Sequence, residues 1–173
     1  MQKNFKELLN QVKALVFDVD GVLTDGNLIL MPNGELVRTM NIKDGIIMKL
    51  AVKTGYHLCI ITGGNSAAVK DRLNRLGITD VYLKTHDKFE ALKEFVATYD
   101  IKLDEVLYMG DDLIDYEVMS KVGVPVCPKD AVAEIKEISL YISDKDGGKG
   151  CVRDIIEQVM KVQGKWGIPN FNN

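Results

Sequence analysis

The chain is poor in residues that mark several classes of protein. It has three cysteines, Cys59, Cys127 and Cys151, in 173 residues. Cys59 lies inside one apolar run and Cys127 ends another, so both read as buried thiols rather than disulfide partners. Their spacing matches no zinc pattern, and only two histidines are present. There is no basic stripe or arginine-rich run, and the net charge is −3. That removes the electrostatic footprint of a nucleic-acid partner and argues against an anionic membrane surface. No apolar run approaches the roughly 20 residues that span a bilayer. Met1 to Asn10 is polar and amphipathic, unlike a signal peptide, so a reducing cytoplasm is the expected setting. Internal repeats and interdomain linkers are missing too.

What is present is an ordinary globular balance, 46% hydrophobic and 27% charged. The length suits one domain over 1–173, with an insertion at 27–41 and a tail at 164–173 carrying Trp166, Ile168 and Phe171. Phe5, Leu8, Leu9 and Val12 fall at helical spacing before a short buried strand, Ala14 to Phe17. The runs 27–31 and 35–40 flank Pro32-Asn33-Gly34, and Asn-Gly between extended runs signals a hairpin. Leu28, Ile29, Leu30 and Met31 are too apolar for a lone exposed ribbon. The hairpin is therefore expected to pack on another chain, with folding back on its own domain as the alternative.

Asp44 is expected to cap a helix over 45–54, closed by Gly55. Further strands are expected at 57–61, 81–83, 105–109, 124–127 and 140–142. They alternate with helices ending at Leu76, Tyr99 and Val162 and with helices over 113–121 and 131–137. Strands that are apolar throughout and alternate with helices imply a doubly wound, mostly parallel α/β sheet covered on both faces.

Ligands of such a sheet bind beyond the carboxyl ends of its strands. There the chain places Asp18-Val19-Asp20-Gly21, Thr62-Gly63-Gly64 and Gly110-Asp111-Asp112, with Asp115 just inside the next helix and Lys88 at a helix start. Asp18 and Asp20 are two apart and share one side of an extended segment. A solvated acidic turn is the plainer reading of them. Carboxylates so close repel, which a cation between them or a proton on one of them relieves. Asp18 with Asp111 could hold a hard divalent cation, and magnesium favours oxygen ligands. A carboxylate oxygen here could attack phosphorus and form an aspartyl phosphate. The cation and Lys88 would offset the repulsion between carboxylate and phosphate. Thr62 and the N–H groups around Gly63 could hold phosphoryl oxygens. Asp20 could protonate the leaving alkoxide and later deprotonate the attacking water.

Asp18-Val19-Asp20-Gly21-Val22-Leu23-Thr24, Ile61-Thr62-Gly63, Lys88 and Gly110-Asp111-Asp112-Leu113-Ile114-Asp115 match, in order, four motifs. They are those of the haloacid dehalogenase superfamily of phosphatases, which the chain resembles. The resemblance implies Asp18 as nucleophile and Asp20 as acid/base. It implies a magnesium site of Asp18, Asp111 and the Asp20 backbone carbonyl, with Asp112 and Asp115 in support. The hairpin in place of a large cap, the Asp44-Gly45 step, and Gly147-Gly148-Lys149-Gly150 followed by Val152-Arg153 look like one capless branch. That likeness spans roughly Val12 to Gly164.

Members of the branch hydrolyse an eight-carbon keto-deoxy sugar phosphate for lipopolysaccharide synthesis. They form homotetramers with hairpins at the centre, and a neighbouring subunit helps cover each site. Many carry an arginine directly after the Thr-Gly step, facing the sugar, where this chain has Gly64. A sister group acting on a nine-carbon keto-deoxy sugar phosphate carries glutamate there, also absent, so both substrates stay open. Arg72 and Arg75 are candidates for the sugar carboxylate, or else a solvated helix face. Lys149 could reach a neighbour's site or be idle, Asp44 and Gly64 join the substrate-side candidates, and His86 reads as a surface residue. A receiver-type signalling module also combines a strand-end aspartate, a hydroxyl, a lysine and magnesium, but Asp20 favours hydrolysis. A catalytically silent scaffold is the remaining alternative.

Overall fold

β1 (Ala14–Phe17) is buried at every residue. It lies between two parallel neighbours, β4 (His57–Ile61) and β6 (Val106–Met109). A strand flanked on both edges and covered on both faces has no side left for water, which accounts for its unbroken apolar run. The coordinates are a computed structural model and describe residues 4–167. The other elements are α1 (Phe5–Leu9), the hairpin strands β2 (Ile29–Leu30) and β3 (Leu36–Val37), α2 (Ile42–Lys53), α3 (Ala67–Arg75) and β5 (Asp80–Tyr82). They continue with α4 (Lys88–Thr98), α5 (Tyr116–Met119), β7 (Val124–Cys127), α6 (Ala133–Ile138), β8 (Tyr141–Ile142) and α7 (Cys151–Val162).

The main sheet has the order β5-β4-β1-β6-β7-β8, and all its pairings are parallel. The chain runs outward from β1 to β5 on one side, then returns to β6 on the other. That reversal opens a crevice at the carboxyl ends of β1 and β6, where such sheets bind ligands. Alternate residues of each strand feed opposite core layers. Leu15, Phe17, Leu58 and Ile60 pack with Ile47 of α2 and Ile155 of α7. Val16, Cys59 and Tyr108 pack with Leu92 and Phe95 of α4 and Ile135 of α6. Each fully buried side chain of this size contributes roughly 1.5–3 kcal/mol. This anchoring makes the strand ends a rigid base for chemistry. No helix among the described residues is long and apolar enough to cross a membrane.

Several expected details differ. α2 begins at Ile42 with Asn41 as its cap, accepting from Lys43 N. Asp44 is not the cap; it sits inside the first turn and is buried. The expected helix 113–121 is a tight 3-10 turn over Leu113–Asp115 followed by the short α5. β5 starts one residue earlier than expected and α6 two residues later. The hairpin forms, but with two residues per strand, and Gly34 takes φ +83 in its turn. Leu28, Ile29, Leu30, Met31 and Leu36 stay exposed on the described chain. The end of the tail, including Ile168 and Phe171, lies outside the described residues.

Candidate active site

The chain leaves β1 through Asp18 and then bends over 19–23 in one wide turn. Asp18 Oδ1 accepts from the Val19 N–H at 2.6 Å, which fixes the carboxylate at the strand end. Gly21 takes φ +84, and a β-carbon there would stand 1.9 Å from Asp111 Oδ2. Glycine at this position therefore does two things. It accepts the left-handed backbone and lets the carboxylate after β6 lie against the turn after β1.

Four charged groups meet beneath that turn. Lys88, at the start of α4, places its Nζ 2.7 Å from Asp18 Oδ2 and 2.7 Å from Asp115 Oδ1. Asp115 also accepts from Tyr108 Oη at 2.9 Å and from the Asp111 N–H at 3.2 Å. Asp18, Lys88 and Asp115 are each at most 4% exposed. Burial works against the charge on Lys88, yet the flanking Asp18 and Asp115 outweigh it and raise its pKa. One ammonium does not balance three carboxylates. Burial, then the Asp115 charge, push Asp18 up to about 7 against the pull of Lys88. Burial and the Asp18 and Asp115 charges push Asp111 up to about 8.

Such a site is short of positive charge, and a cation supplies it. One oxygen from each of Asp18, Asp111 and Asp115 lies within 4.8 Å of the others. All are hard oxygen donors, the set a magnesium-like ion takes. Asp115 already accepts three bonds, from Lys88, Tyr108 and the Asp111 N–H, while Asp18 holds one contact on each oxygen, so Asp18 and Asp111 keep more lone pairs for an ion. Asp115 thus sits with the ligands, closer than a remote support.

Above this buried layer is a cavity of about 300 Å³ lined by Asp18, Asp20, Thr62, Gly63, Gly64 and Asp111. Thr62, after β4, is buried and accepts from the Gly64 N–H at 3.1 Å. Its hydroxyl proton is thereby free to point at an oxygen in the cavity. Asp20 faces the same space but is held from outside the sheet. Arg38, just after β3, donates from Nε to Asp20 Oδ1 at 2.6 Å and from Nη2 to Oδ2 at 3.0 Å. Asp112 is exposed at the rim, where Oδ1 accepts from Leu113 N at 2.7 Å.

The other sequence candidates stand apart from this cavity. Asp44 Oδ1 accepts from Arg153 N at 2.8 Å, so its carboxylate serves the first turn of α7, while Oδ2 is buried with no hydrogen-bond partner among the described residues. Arg72 crosses Gly45, its Nη2 2.9 Å from where a β-carbon there would stand, and lines a separate cavity of about 260 Å³ with Arg38. Arg75 is exposed and pairs with Asp71 at 2.8 Å, one turn back on the same helix. Lys149 is exposed, 3.7 Å from Asp25. His86 is exposed.

Sequence reasoning missed Arg38 and Tyr108. Tyr108 carried a faint signal, a hydroxyl in an otherwise apolar strand, which must find a partner when buried. Arg38 carried none, because its partner lies 18 positions away along the chain.

A switch-point crevice with a strand-end aspartate pair, a threonine, a buried lysine and a third aspartate defines a haloacid dehalogenase-like hydrolase. The family model for haloacid dehalogenase-like hydrolases matches residues 75–155. The 3-deoxy-D-manno-octulosonate 8-phosphate phosphatase KdsC of Yersinia pestis is 35% identical over 154 residues, 89% of this chain and 82% of that protein. The crystal structure of the phosphatase of that name from Moraxella catarrhalis, in complex with magnesium, phosphate and KDO, superposes with a TM-score of 0.90 at 30% identity, covering 95% of this chain and 94% of that one. The cobalt-bound deoxy-D-mannose-octulosonate 8-phosphate phosphatase of Haemophilus influenzae gives 0.88 at 28% identity, covering 91% and 92%. The chain belongs to the haloacid dehalogenase superfamily, in the family of the 3-deoxy-D-manno-octulosonate 8-phosphate phosphatases.

Proposed function

We propose that this protein is a magnesium-dependent phosphomonoesterase that hydrolyses 3-deoxy-D-manno-octulosonate 8-phosphate to KDO and phosphate, in lipopolysaccharide precursor synthesis. The observation that carries the chemistry is Asp18, buried at the base of the cavity with Lys88 on one oxygen and Asp111 alongside. Asp18, Asp111 and the Asp20 backbone carbonyl would hold the magnesium ion, with Asp112 and Asp115 in support. When bound, it offsets the negative charge of the phosphoryl oxygens beside Asp18.

An Asp18 oxygen attacks phosphorus, the phosphorus–oxygen bond to the sugar breaks, and an aspartyl phosphate forms. Asp20 gives its proton to the departing sugar oxygen. It then takes one from water, whose oxygen attacks phosphorus and releases phosphate from Asp18. Thr62 and the Gly63 and Gly64 backbone hold the phosphoryl oxygens, and Lys88 neutralises them. Lys88 keeps its charge through its two carboxylate contacts, so it acts as a fixed cation and not as a proton donor.

The chain works as one domain in the cytoplasm, and as a homotetramer. The exposed Leu28, Ile29, Leu30 and Met31 of the hairpin support the assembly, since a contiguous apolar patch marks an interface. Arg72, Arg75, Lys149 and Asp44 belong to the substrate side only if a neighbouring subunit completes it.

Phosphate release is measured with magnesium on eight- and nine-carbon keto-deoxy sugar phosphates and on hexose phosphates. The eight-carbon substrate is expected to give the highest kcat/KM. Preference for the nine-carbon one overturns the substrate and leaves the mechanism. Asp18→Asn is expected to lower kcat by about four orders of magnitude, and full activity in that variant overturns the mechanism.

A further inference from the structure

Among the described residues, the side chain of Asp20 is held by Arg38 alone. The arginine comes from the hairpin and not from the sheet, yet its side chain is only 7% exposed. Two parallel bonds from one guanidinium fix the plane of a carboxylate as well as its position. A third bond, from Arg38 Nη1 to the Leu36 carbonyl at 3.0 Å, ties that plane to β3. Gly64 borders the pair: a β-carbon there would stand 3.4 Å from Arg38 Nη2 and 3.6 Å from Asp20 Oδ2. A longer side chain would compete for the space the ion pair uses.

We propose that Arg38 is a positioning residue for the acid/base: it sets the orientation in which Asp20 passes its proton to the leaving oxygen, and so makes the hairpin part of the catalytic machinery. The proposal rests on the acid/base role given to Asp20 above. The ion pair occupies both Asp20 oxygens, so donating a proton takes one oxygen out of the fork and turns it to the leaving oxygen while the other stays on the guanidinium, which still fixes the side chain. In the first step the Asp18 oxygen bonds to phosphorus, the ester bond breaks with its electron pair going to the leaving oxygen, and that oxygen takes the Asp20 proton. The poorer the leaving group, the more this step depends on that proton. A misoriented Asp20 therefore slows poor leaving groups most.

The test is kcat/KM, with magnesium, for a series of aryl phosphates running from nitrophenyl to unsubstituted phenyl phosphate. This parameter reports only the steps up to release of the phenol, and the series contains no sugar, so a lost sugar contact does not enter. The wild type, Arg38→Ala, Arg38→Lys and Asp20→Asn are compared. In Arg38→Ala the phenyl ester is expected to lose at least about tenfold more than the nitrophenyl ester, a steeper dependence on leaving-group acidity. Asp20→Asn is expected to be steeper still. Arg38→Lys, a point charge without the fork, is expected to fall between the wild type and Arg38→Ala.

An equal loss across the series in Arg38→Ala, or no loss, overturns the proposal if Asp20→Asn is steep. If Asp20→Asn is also parallel, the acid role of Asp20 falls and the proposal with it. Should Arg38→Ala not fold, Arg38→Gln keeps a hydrogen-bond donor but loses the fork, and its slope decides in the same way.

Discussion

Asp18 and Asp20 lie two positions apart, yet they live in different surroundings. Asp18 is 2% exposed and held by Lys88 of α4, which is itself held by Asp115 after β6. Every support of Asp18 hangs from the central sheet and its crossover helices. The side chain of Asp20 is 36% exposed and its partner comes from a two-strand ribbon outside the sheet. The proposed nucleophile is thus built into the core, and the proposed acid/base is built onto it. A buried charge needs partners fixed in place, because leaving it unpaired costs several kcal/mol. A group that must exchange protons with substrate and water needs access, and a peripheral element supplies an anchor without closing the cavity.

The widest break in this comparison is expected from Lys88→Met. It leaves Asp18 and Asp115 buried with no cation between them. The metal-free protein is expected to lose about 3–5 kcal/mol, read as a shift in the denaturant midpoint. Arg38→Ala, which leaves an aspartate that reaches water, is expected to lose less, about 2 kcal/mol. Equal losses from the two substitutions would erase the distinction between a built-in and a built-on aspartate.

Metal binding sharpens the same contrast. Without metal, Asp18 holds its proton up to about pH 7 and Asp111 up to about pH 8. Both values lie above those of the unfolded chain, so the metal-free fold binds more protons than the unfolded chain between about pH 4 and 8. Its stability from these groups therefore falls as pH rises through that window. Magnesium takes the anions, so binding releases protons and tightens as pH rises from 6 to 8. Calorimetry at pH 7 in buffers of different ionisation heat is expected to give release of roughly one proton per ion. Magnesium affinity that is flat from pH 6 to 8 would contradict the charge shortage assigned to the buried layer.

The two aspartates also differ in how far the sequence exposes them. β1, β4 and β6 read directly as strands because a strand covered on both faces is apolar throughout. The residues at their carboxyl ends read as chemistry because polar side chains crowd where apolar runs stop. Lys88 is legible for the same reason, standing beside its cap Asp87. Asp44 misled because an aspartate before a helical run suits a cap, whereas Asn41 takes that place and Asp44 serves α7, more than 100 positions on. The bond between Arg38 and Asp20 has no local signature either, since a two-residue strand has too little periodicity to fix which face an arginine takes. Contacts within an element, or at its end, leave a pattern in the sequence; contacts between an insertion and the core do not.

The finest test of the built-in layer is Tyr108→Phe. Tyr108 Oη donates to Asp115 Oδ1, the same oxygen that accepts from Lys88. Removing the hydroxyl leaves that oxygen bonded to the ammonium, so no buried acceptor is orphaned. The expected loss is that of one hydrogen bond to a charged group, about 1.5 kcal/mol, or roughly 3–6 °C in melting temperature for a chain of this size. Lys88 keeps both carboxylates, so kcat is expected to stay within about threefold of the wild type. Loss of both stability and activity on the scale of Lys88→Met would mean that Tyr108, Asp115 and Lys88 act as one unit. A double-mutant cycle between Tyr108→Phe and Lys88→Met would then show coupling well above the 0.3–0.5 kcal/mol or so expected of independent sites.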